Sequence, residues 1–232
     1  MPNSASFPIA AAATIGCIFF AVSYMRSYKQ KTFSKAFWLK GGAAFCFVFL
    51  GMWLSLQTGK GPYARLLIIG LLLGLCGDQI LALRFLRPRF RDLLFAAGAG
   101  AFAAGHFFYI KALYGLGGVS PVLLIPVFLA GIAIANIYGK HQGSNAGSLQ
   151  IPAVLYMALV IFMGSVAISA FWAAPGFGLL LFAIGGICFS ISDNILFAYS
   201  FGKSPCWSMN IWVHITYYAA QLLIAWSIFF VT

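Results

Sequence analysis

The apolar runs of this sequence constrain its fold more than any other feature. A helix needs about 20 predominantly apolar residues to cross a bilayer, and eight runs approach or exceed that length. Of the 232 residues, 62% are hydrophobic and only 7% are charged, whereas a soluble domain carries roughly 25% charged residues. A chain of this composition requires lipid as its solvent. The predicted spans are residues 7–25, 38–56, 63–83, 93–114, 119–137, 151–172, 176–199 and 208–230.

These runs predict an all-α, polytopic transmembrane helix bundle of about eight helices. The connections are short, so we expect residues 1–232 to form a single integral membrane domain. No basic residue precedes the first run, which favours a retained first helix over a cleaved signal peptide. The five cysteines are scattered without a CxxC pair, which indicates packing roles rather than disulfides or metal binding. We expect neither a metal nor a cofactor.

The basic residues predict the orientation of the bundle. Of the 14 lysines and arginines, eleven follow spans 1, 3, 5 and 7, with Lys40 assigned to the first of these connections. The other three, Lys60, Arg65 and Lys111, fall on the opposite side. Because cytoplasmic loops are enriched in Lys and Arg, we expect both termini to be non-cytoplasmic. The same distribution explains the net charge of +11 without a nucleic-acid partner. It does not distinguish a bacterial inner membrane from the endoplasmic reticulum, and it leaves the oligomeric state open.

Two of the three acidic residues, Asp78 and Asp193, lie inside predicted spans. An aspartate at the centre of a membrane helix costs about 2.5–3.5 kcal/mol on insertion scales. At about 1.5 Å per residue, Asp78 lies roughly 9 Å from Arg84 and Asp193 roughly 15 Å from Lys203 along their helices. We therefore expect both carboxyls at similar depth in the cytoplasmic half. Asp92 begins the fourth span, where an acidic residue stabilises the helix N-terminus.

Other polar side chains are expected near the aspartates. Four of them share one face of the last span, which enters the membrane at the depth of the aspartates: His214, Tyr217, Tyr218 and Gln221. His106 and Tyr109 share a face of the fourth span, nearer to the midplane. The alternative is that each aspartate only joins helices through hydrogen bonds and that the aromatic residues only pack.

A weak internal repeat relates the two halves of the chain. Asp78-Gln79-Ile80-Leu81 is similar to Asp193-Asn194-Ile195-Leu196, and His106-x-x-Tyr109 is similar to His214-x-x-Tyr217. A four-plus-four repeat would place the two halves around an axis along the membrane normal. The alternative is chance similarity between apolar segments.

Two carboxyls in one desolvated cavity can divide the roles of acid and base. Their environments separate the pH values at which they titrate, so one carries a proton while the other is ionised. The sequence lacks the HExxH, GxSxG and glycine-rich-loop patterns of zinc peptidases, serine hydrolases and nucleotide-binding proteins. The residues therefore favour acid–base chemistry, with the roles of the two aspartates left open.

Four motifs of this chain, in order and approximate spacing, resemble the YhhN-like lysoplasmalogenase family. They are Gly77-Asp78, His106-x-x-Tyr109, Phe189-Ser190-Ile191-Ser192-Asp193 and Thr216-Tyr217-Tyr218-Ala219-Ala220-Gln221. Lys40 also resembles a lysine of the family. His214 departs from the family pattern, so no role is carried over to it.

The resemblance implies an eight-helix enzyme that hydrolyses the vinyl ether bond of lysoplasmalogens, releasing a fatty aldehyde and glycerophospho-ethanolamine or -choline. Asp78 and Asp193 would be the acid–base pair, as in the two-carboxylate logic of glycoside hydrolysis. Either Lys40 or the loop from Arg84 to Arg91 could hold the lysophospholipid phosphate. The expected orienting residues are Gln79, His106, Tyr109, Ser192, Asn194, Tyr217, Tyr218 and Gln221.

Two alternatives stay open at this stage. A buried pair of carboxyls in a repeated fold also suits a proton-coupled membrane transporter. The same architecture could instead serve a non-catalytic lipid-binding membrane protein. Only the enzyme releases aldehyde when it is purified in detergent, where no gradient exists.

Overall fold

A computed structural model of the protein describes residues 6–59, 61–117, 124–141 and 146–231. Within these ranges the chain forms eight α-helices and no strands, which confirms the all-α helix bundle. Short 3₁₀ turns at Pro88–Phe90 and Gly147–Leu149 precede the fourth and sixth helices. The helices are α1 (Ser6–Lys29), α2 (Phe33–Thr58), α3 (Gly61–Leu86), α4 (Arg91–Tyr114), α5 (Leu124–His141), α6 (Gln150–Ala173), α7 (Phe177–Phe201) and α8 (Trp207–Phe230).

Seven of the described helices, all except α5, are long and apolar enough to cross a membrane. A multi-pass membrane architecture is thereby confirmed. The described part of α5 has 18 residues and ends on Lys140 and His141. The predicted start of its span at residue 119 lies outside the described residues, so the eighth span stays a prediction. Lys60, which precedes α3, also lies outside the described residues.

Most helices extend beyond the predicted spans, because an α-helix satisfies its own backbone hydrogen bonds as it leaves the bilayer. α1 continues to Lys29 and α2 already begins at Phe33. The assignment of Lys40 to the first connection is therefore wrong. Lys40 lies in the second turn of α2 and is only 6% exposed. Its burial is explained by the carboxylate that it meets inside the bundle.

Six helices pack in a closed ring, in the order α2, α3, α4, α6, α7 and α8, and α8 packs back on α2. α3 also contacts α8 across the ring, while α1 packs outside against α2 and α8, and α5 packs against α6. Large apolar side chains such as Leu56, Ile151 and Trp172 are about three-quarters exposed on the outer surface. Lipid would cover this surface, so the polar residues collect inside the ring.

Glycines on α3 let side chains from neighbouring helices reach the centre of the ring. A Cβ at Gly74 would lie 2.5 Å from Nε2 of Gln221, and one at Gly70 would overlap the ring of Tyr109. Small residues at helix contacts are the usual means of close approach within a membrane. α3 therefore leaves room for two of the polar residues that build the site.

Candidate active site

Asp78 lies in a polar network that joins four helices. Nζ of Lys40, on α2, lies 2.9 Å from Oδ1 of Asp78, and the hydroxyl of Tyr217, on α8, donates a 2.8 Å hydrogen bond to Oδ2. Gln221 donates to the Tyr217 hydroxyl over 3.1 Å and accepts from Tyr109 of α4 over 2.9 Å. Asp78 is 1% exposed. Both of its carboxylate oxygens are therefore partnered inside the bundle, one of them by a cation.

Asp193 has a different environment from Asp78. The hydroxyl of Tyr156, on α6, donates a 2.5 Å hydrogen bond to Oδ2 of Asp193. Asp193 is 6% exposed, and in the described part of the chain no cation forms an ion pair with it, since Lys40 pairs with Asp78. The two buried aspartates thus differ in whether a positive charge compensates them.

Both aspartates line one small polar chamber of about 40 Å³. Its wall includes Lys40 and Tyr217, together with His214 near the beginning of α8. The chamber also reaches Arg84, near the end of α3, and so lies towards the basic end of the bundle. A water molecule needs about 10–15 Å³ of such volume and two to four polar partners. The chamber can hold a few waters, and it is too small for a phospholipid headgroup.

A second, larger cavity of about 450 Å³ lies between α4, α6 and α7. Its lining is apolar except for Asp193 and Tyr156. Asp193 lines both cavities, as do Leu81, Phe102 and Leu196. The Asp193 carboxyl therefore lies where a water-sized polar chamber meets an apolar cavity.

Arg84 lies beside both cavities. Its Cζ is 4.7 Å from the ring centroid of Phe85 and 5.2 Å from that of Phe95. Arg84 lines the polar chamber, whereas Phe95 lines the apolar cavity. Nε of Arg84 is buried, and no hydrogen-bond acceptor among the described residues reaches it. The two rings flank the guanidinium, and its unpartnered Nε is a donor available to an anion.

Three predicted orienting residues next to the aspartates lie outside the two cavities. Ser192 donates a 3.0 Å hydrogen bond to the carbonyl of Val213 and so joins α7 to α8. Asn194 donates over 2.8 Å to the carbonyl of Ser190 on its own helix. Gln79 contacts α2, and its Nε2 has no partner in the part of the chain that the structure describes. None of the three lines either of the two cavities.

The remaining predicted side chains are buried close to the network. The ring of His106 packs edge-on against Phe189 at 4.5 Å, and neither of its nitrogens has a hydrogen-bond partner among the described residues. Tyr218 is buried in the same way, with its hydroxyl unpartnered there. His214 donates through Nδ1 to the carbonyl of Asn210 over 2.7 Å. His106 and Tyr218 therefore pack beside the site, whereas His214 forms part of the chamber wall.

Sequence reasoning missed Tyr156, which is the partner of Asp193. The signal was available, because Tyr156 is the one tyrosine among almost purely apolar residues of the sixth span. A hydroxyl inside a membrane helix needs a partner. Nothing in the local sequence indicates that this partner lies on the following helix.

A family model supports the resemblance found in the motifs. The model of the YhhN family matches residues 35–228, from the first turn of α2 into the last turn of α8. The match includes both aspartates and their partners Lys40, Tyr156 and Tyr217. No curated protein and no solved structure matches the chain. Since the matched range covers well over half of the sequence, the chain belongs to the YhhN family.

Proposed function

We propose that this protein is a lysoplasmalogenase, which hydrolyses the vinyl ether bond of lysoplasmalogens to a fatty aldehyde and a glycerophospho-ethanolamine or -choline. The observation that carries the proposal is the position of Asp193 between a water-sized polar chamber and an apolar cavity. A vinyl ether joins a hydrocarbon chain to a polar glycerol. Its hydrolysis needs an acid, a water molecule and room for hydrocarbon at one point. Membership in the YhhN family supports the same activity.

Asp193 is assigned the role of the acid. A buried carboxylate without a compensating cation costs several kcal/mol, so the environment of Asp193 favours the neutral carboxylic acid. Its place on the wall of the apolar cavity puts it beside a chain bound there. The Asp193 proton is transferred to the β-carbon of the vinyl ether. The π electrons form the new C–H bond, and an oxocarbenium ion results.

Asp78 is assigned the role of the base, because Lys40 at 2.9 Å compensates its charge and keeps it ionised. A water in the polar chamber gives a proton to Asp78 while its oxygen bonds to the oxocarbenium carbon, which yields a hemiacetal. Collapse of the hemiacetal breaks the bond between that carbon and the glycerol oxygen. Asp78 then gives its proton to the glycerol oxygen, and Asp193 accepts the hydroxyl proton. Both carboxyls return to their starting states, with water as the co-reactant.

Tyr156 is proposed to stabilise Asp193 while that residue is ionised. We expect Tyr156→Phe to lower kcat for aldehyde release roughly 10- to 100-fold, because a hydrogen bond to a charged group contributes about 1.5–3 kcal/mol. KM should change little, since phenylalanine keeps the ring in the cavity wall. Steady-state kinetics in detergent give both parameters.

The matched control for this variant is Tyr63→Phe. It removes another buried tyrosine hydroxyl, which bonds Ser227 over 2.9 Å and lines neither cavity. An equal loss of kcat in the two variants would contradict a specific role for Tyr156.

We assign binding of the lysophospholipid phosphate to Arg84. Lys40 is already paired with Asp78, whereas the Arg84 guanidinium has no anion partner in the described ranges and presents a planar fork that matches a phosphate. Because the polar chamber is too small for a headgroup, the phosphate would approach from the loop that carries Arg87, Arg89 and Arg91. This proposal places the basic loops and the headgroup on the cytoplasmic side.

We expect Arg84→Gln to raise KM for lysoplasmalogen by roughly 10- to 100-fold, the equivalent of one charged hydrogen bond. KM for a 1-alkenylglycerol, which has no phosphate, should stay unchanged. Comparing the two substrates with the same variant separates loss of phosphate binding from a general disturbance. An equal rise of KM for both substrates would rule out phosphate recognition by Arg84.

The activity itself is tested with purified protein in detergent. We expect aldehyde release from lysoplasmalogen and no hydrolysis of the ester lysophospholipid with the same headgroup. Equal rates on the two lipids would indicate a general lysophospholipase. A proton-coupled transporter or a non-catalytic lipid-binding protein would release no aldehyde, and that result would overturn the proposal.

A further inference from the structure

The volume and the apolar lining of the larger cavity suit one hydrocarbon chain. We infer that it binds the single alkenyl chain of the lipid and selects chains by length, with Gly100 as a wall residue whose missing side chain leaves room for that chain. This inference rests on the proposed function, because the bound chain is that of the lysoplasmalogen. It goes further by assigning specificity to a position that touches neither aspartate.

The volume of the cavity is sufficient for one hydrocarbon chain. A carbon group of a chain takes about the volume of a water molecule, roughly 30 Å³. The cavity of about 450 Å³ lies within the usual range of ligand pockets, about 300–1,000 Å³, and has room for one long chain. Of its two polar residues, Asp193 also lines the polar chamber, and Tyr156 donates a hydrogen bond to Asp193. A chain would thus bind with its ether end at Asp193 and its remaining carbons along the apolar wall.

Small residues of α4 make this wall. They lie on one face of the helix, at spacings of three and four: Ala96, Ala99, Gly100 and Ala103. A Cβ added at Gly100 would meet no heavy atom within 4 Å, whereas one at Gly98 would lie 2.7 Å from Cγ of Leu81. Gly100 is exposed and lines the cavity, so this open space lies on the cavity side of α4. A larger side chain there should displace the lipid chain and leave the helix packing intact.

The test is Gly100→Leu, assayed with lysoplasmalogens of graded chain length. Leucine adds four carbon groups, on the order of 120 Å³ in total, so the preferred chain should become about four carbons shorter. We expect aldehyde release from octadecenyl substrate to fall about tenfold or more relative to dodecenyl substrate, because each methylene that loses burial weakens binding several-fold. Ala103→Leu should give a shift in the same direction, which protects the test against misfolding of one variant.

The matched control is Ala97→Leu. Ala97 lies on the same stretch of α4, is exposed and does not line the cavity. Its variant should keep the wild-type profile of chain lengths. A profile that is the same in wild type, Gly100→Leu and Ala103→Leu would overturn the inference.

Binding measured without catalysis separates this inference from the proposed function. Native mass spectrometry can follow saturated dodecyl and octadecyl 1-O-alkyl lysophospholipids, which have no vinyl bond to hydrolyse. We expect wild type to retain the octadecyl lipid better than Gly100→Leu does, and both proteins to retain the dodecyl lipid similarly. This binding pattern without aldehyde release would overturn the proposed function alone. Aldehyde release with equal retention of both lipids by both proteins would overturn the chain-length inference alone.

Discussion

Asp193→Asn is expected to lower the rate of aldehyde release by about 10²–10⁴-fold, the usual contribution of a general acid. Asparagine has the size of aspartate, and its carbonyl oxygen can still accept the hydrogen bond from Tyr156. It has no acidic proton to transfer to the β-carbon. The rate is measured as aldehyde formed per folded protein in detergent.

Asp92→Asn is the matched control for this variant. Asp92 lies in the first turn of α4, is exposed and lines neither cavity, so its variant should retain the wild-type rate. Folding of each variant is checked by its thermal unfolding. A folded Asp193→Asn protein with the wild-type rate would remove Asp193 from the mechanism.

Lys40→Met is expected to reduce the free energy of unfolding by about 3–5 kcal/mol, the cost of breaking a buried ion pair by removal of one partner. The variant leaves Asp78, which is 1% exposed, without its cation. The double variant Lys40→Met/Asp78→Asn should recover much of this loss, because no uncompensated charge remains. It should nevertheless be inactive, since the base is missing.

Denaturant titration in mixed micelles measures these differences, and Lys35→Met serves as the control on the same helix. Lys35 is exposed, so its removal should change stability by less than about 1 kcal/mol. If the effects of Lys40→Met and Asp78→Asn simply add in the double variant, the two side chains do not interact as the 2.9 Å contact indicates.

The helical architecture could be predicted from the sequence because few backbone structures are stable in lipid. Each long apolar run must satisfy its backbone hydrogen bonds internally, which requires a helix, and seven of the described helices meet the length and composition of a span. Helix ends were harder to predict, since charged residues such as Lys29 and Lys40 remain helical. The ring order could not be predicted, because apolar faces that meet lipid and apolar faces that meet other helices have the same composition.

Residues of the candidate site could be predicted where burial in lipid is energetically costly or where helical spacing groups polar side chains on one face. Asp78 and Asp193 stood out by the cost of burying a carboxyl in lipid, and the helical spacing grouped Tyr217 with Gln221. Sequence neighbours of the aspartates were poor candidates, because successive residues of an α-helix point about 100° apart. Asn194 accordingly bonds its own helix.

The partners of the aspartates depend on contacts between helices and could not be read from any one span. Lys40 meets Asp78 because α2 packs against α3, and Tyr156 meets Asp193 because α6 packs against α7. These two contacts distinguish the chemical roles of the carboxyls. The sequence left those roles open.

The most direct measurement is a single turnover of lysoplasmalogen in D₂O, quenched with borohydride and analysed by mass spectrometry. Proton transfer from Asp193 to the β-carbon should place one deuterium on carbon 2 of the fatty aldehyde, and both Asp78→Asn and Asp193→Asn should slow formation of that product by about 100-fold or more in folded protein. Aldehyde without deuterium on carbon 2, or undiminished labelled aldehyde from either variant, would contradict catalysis by this pair of aspartates.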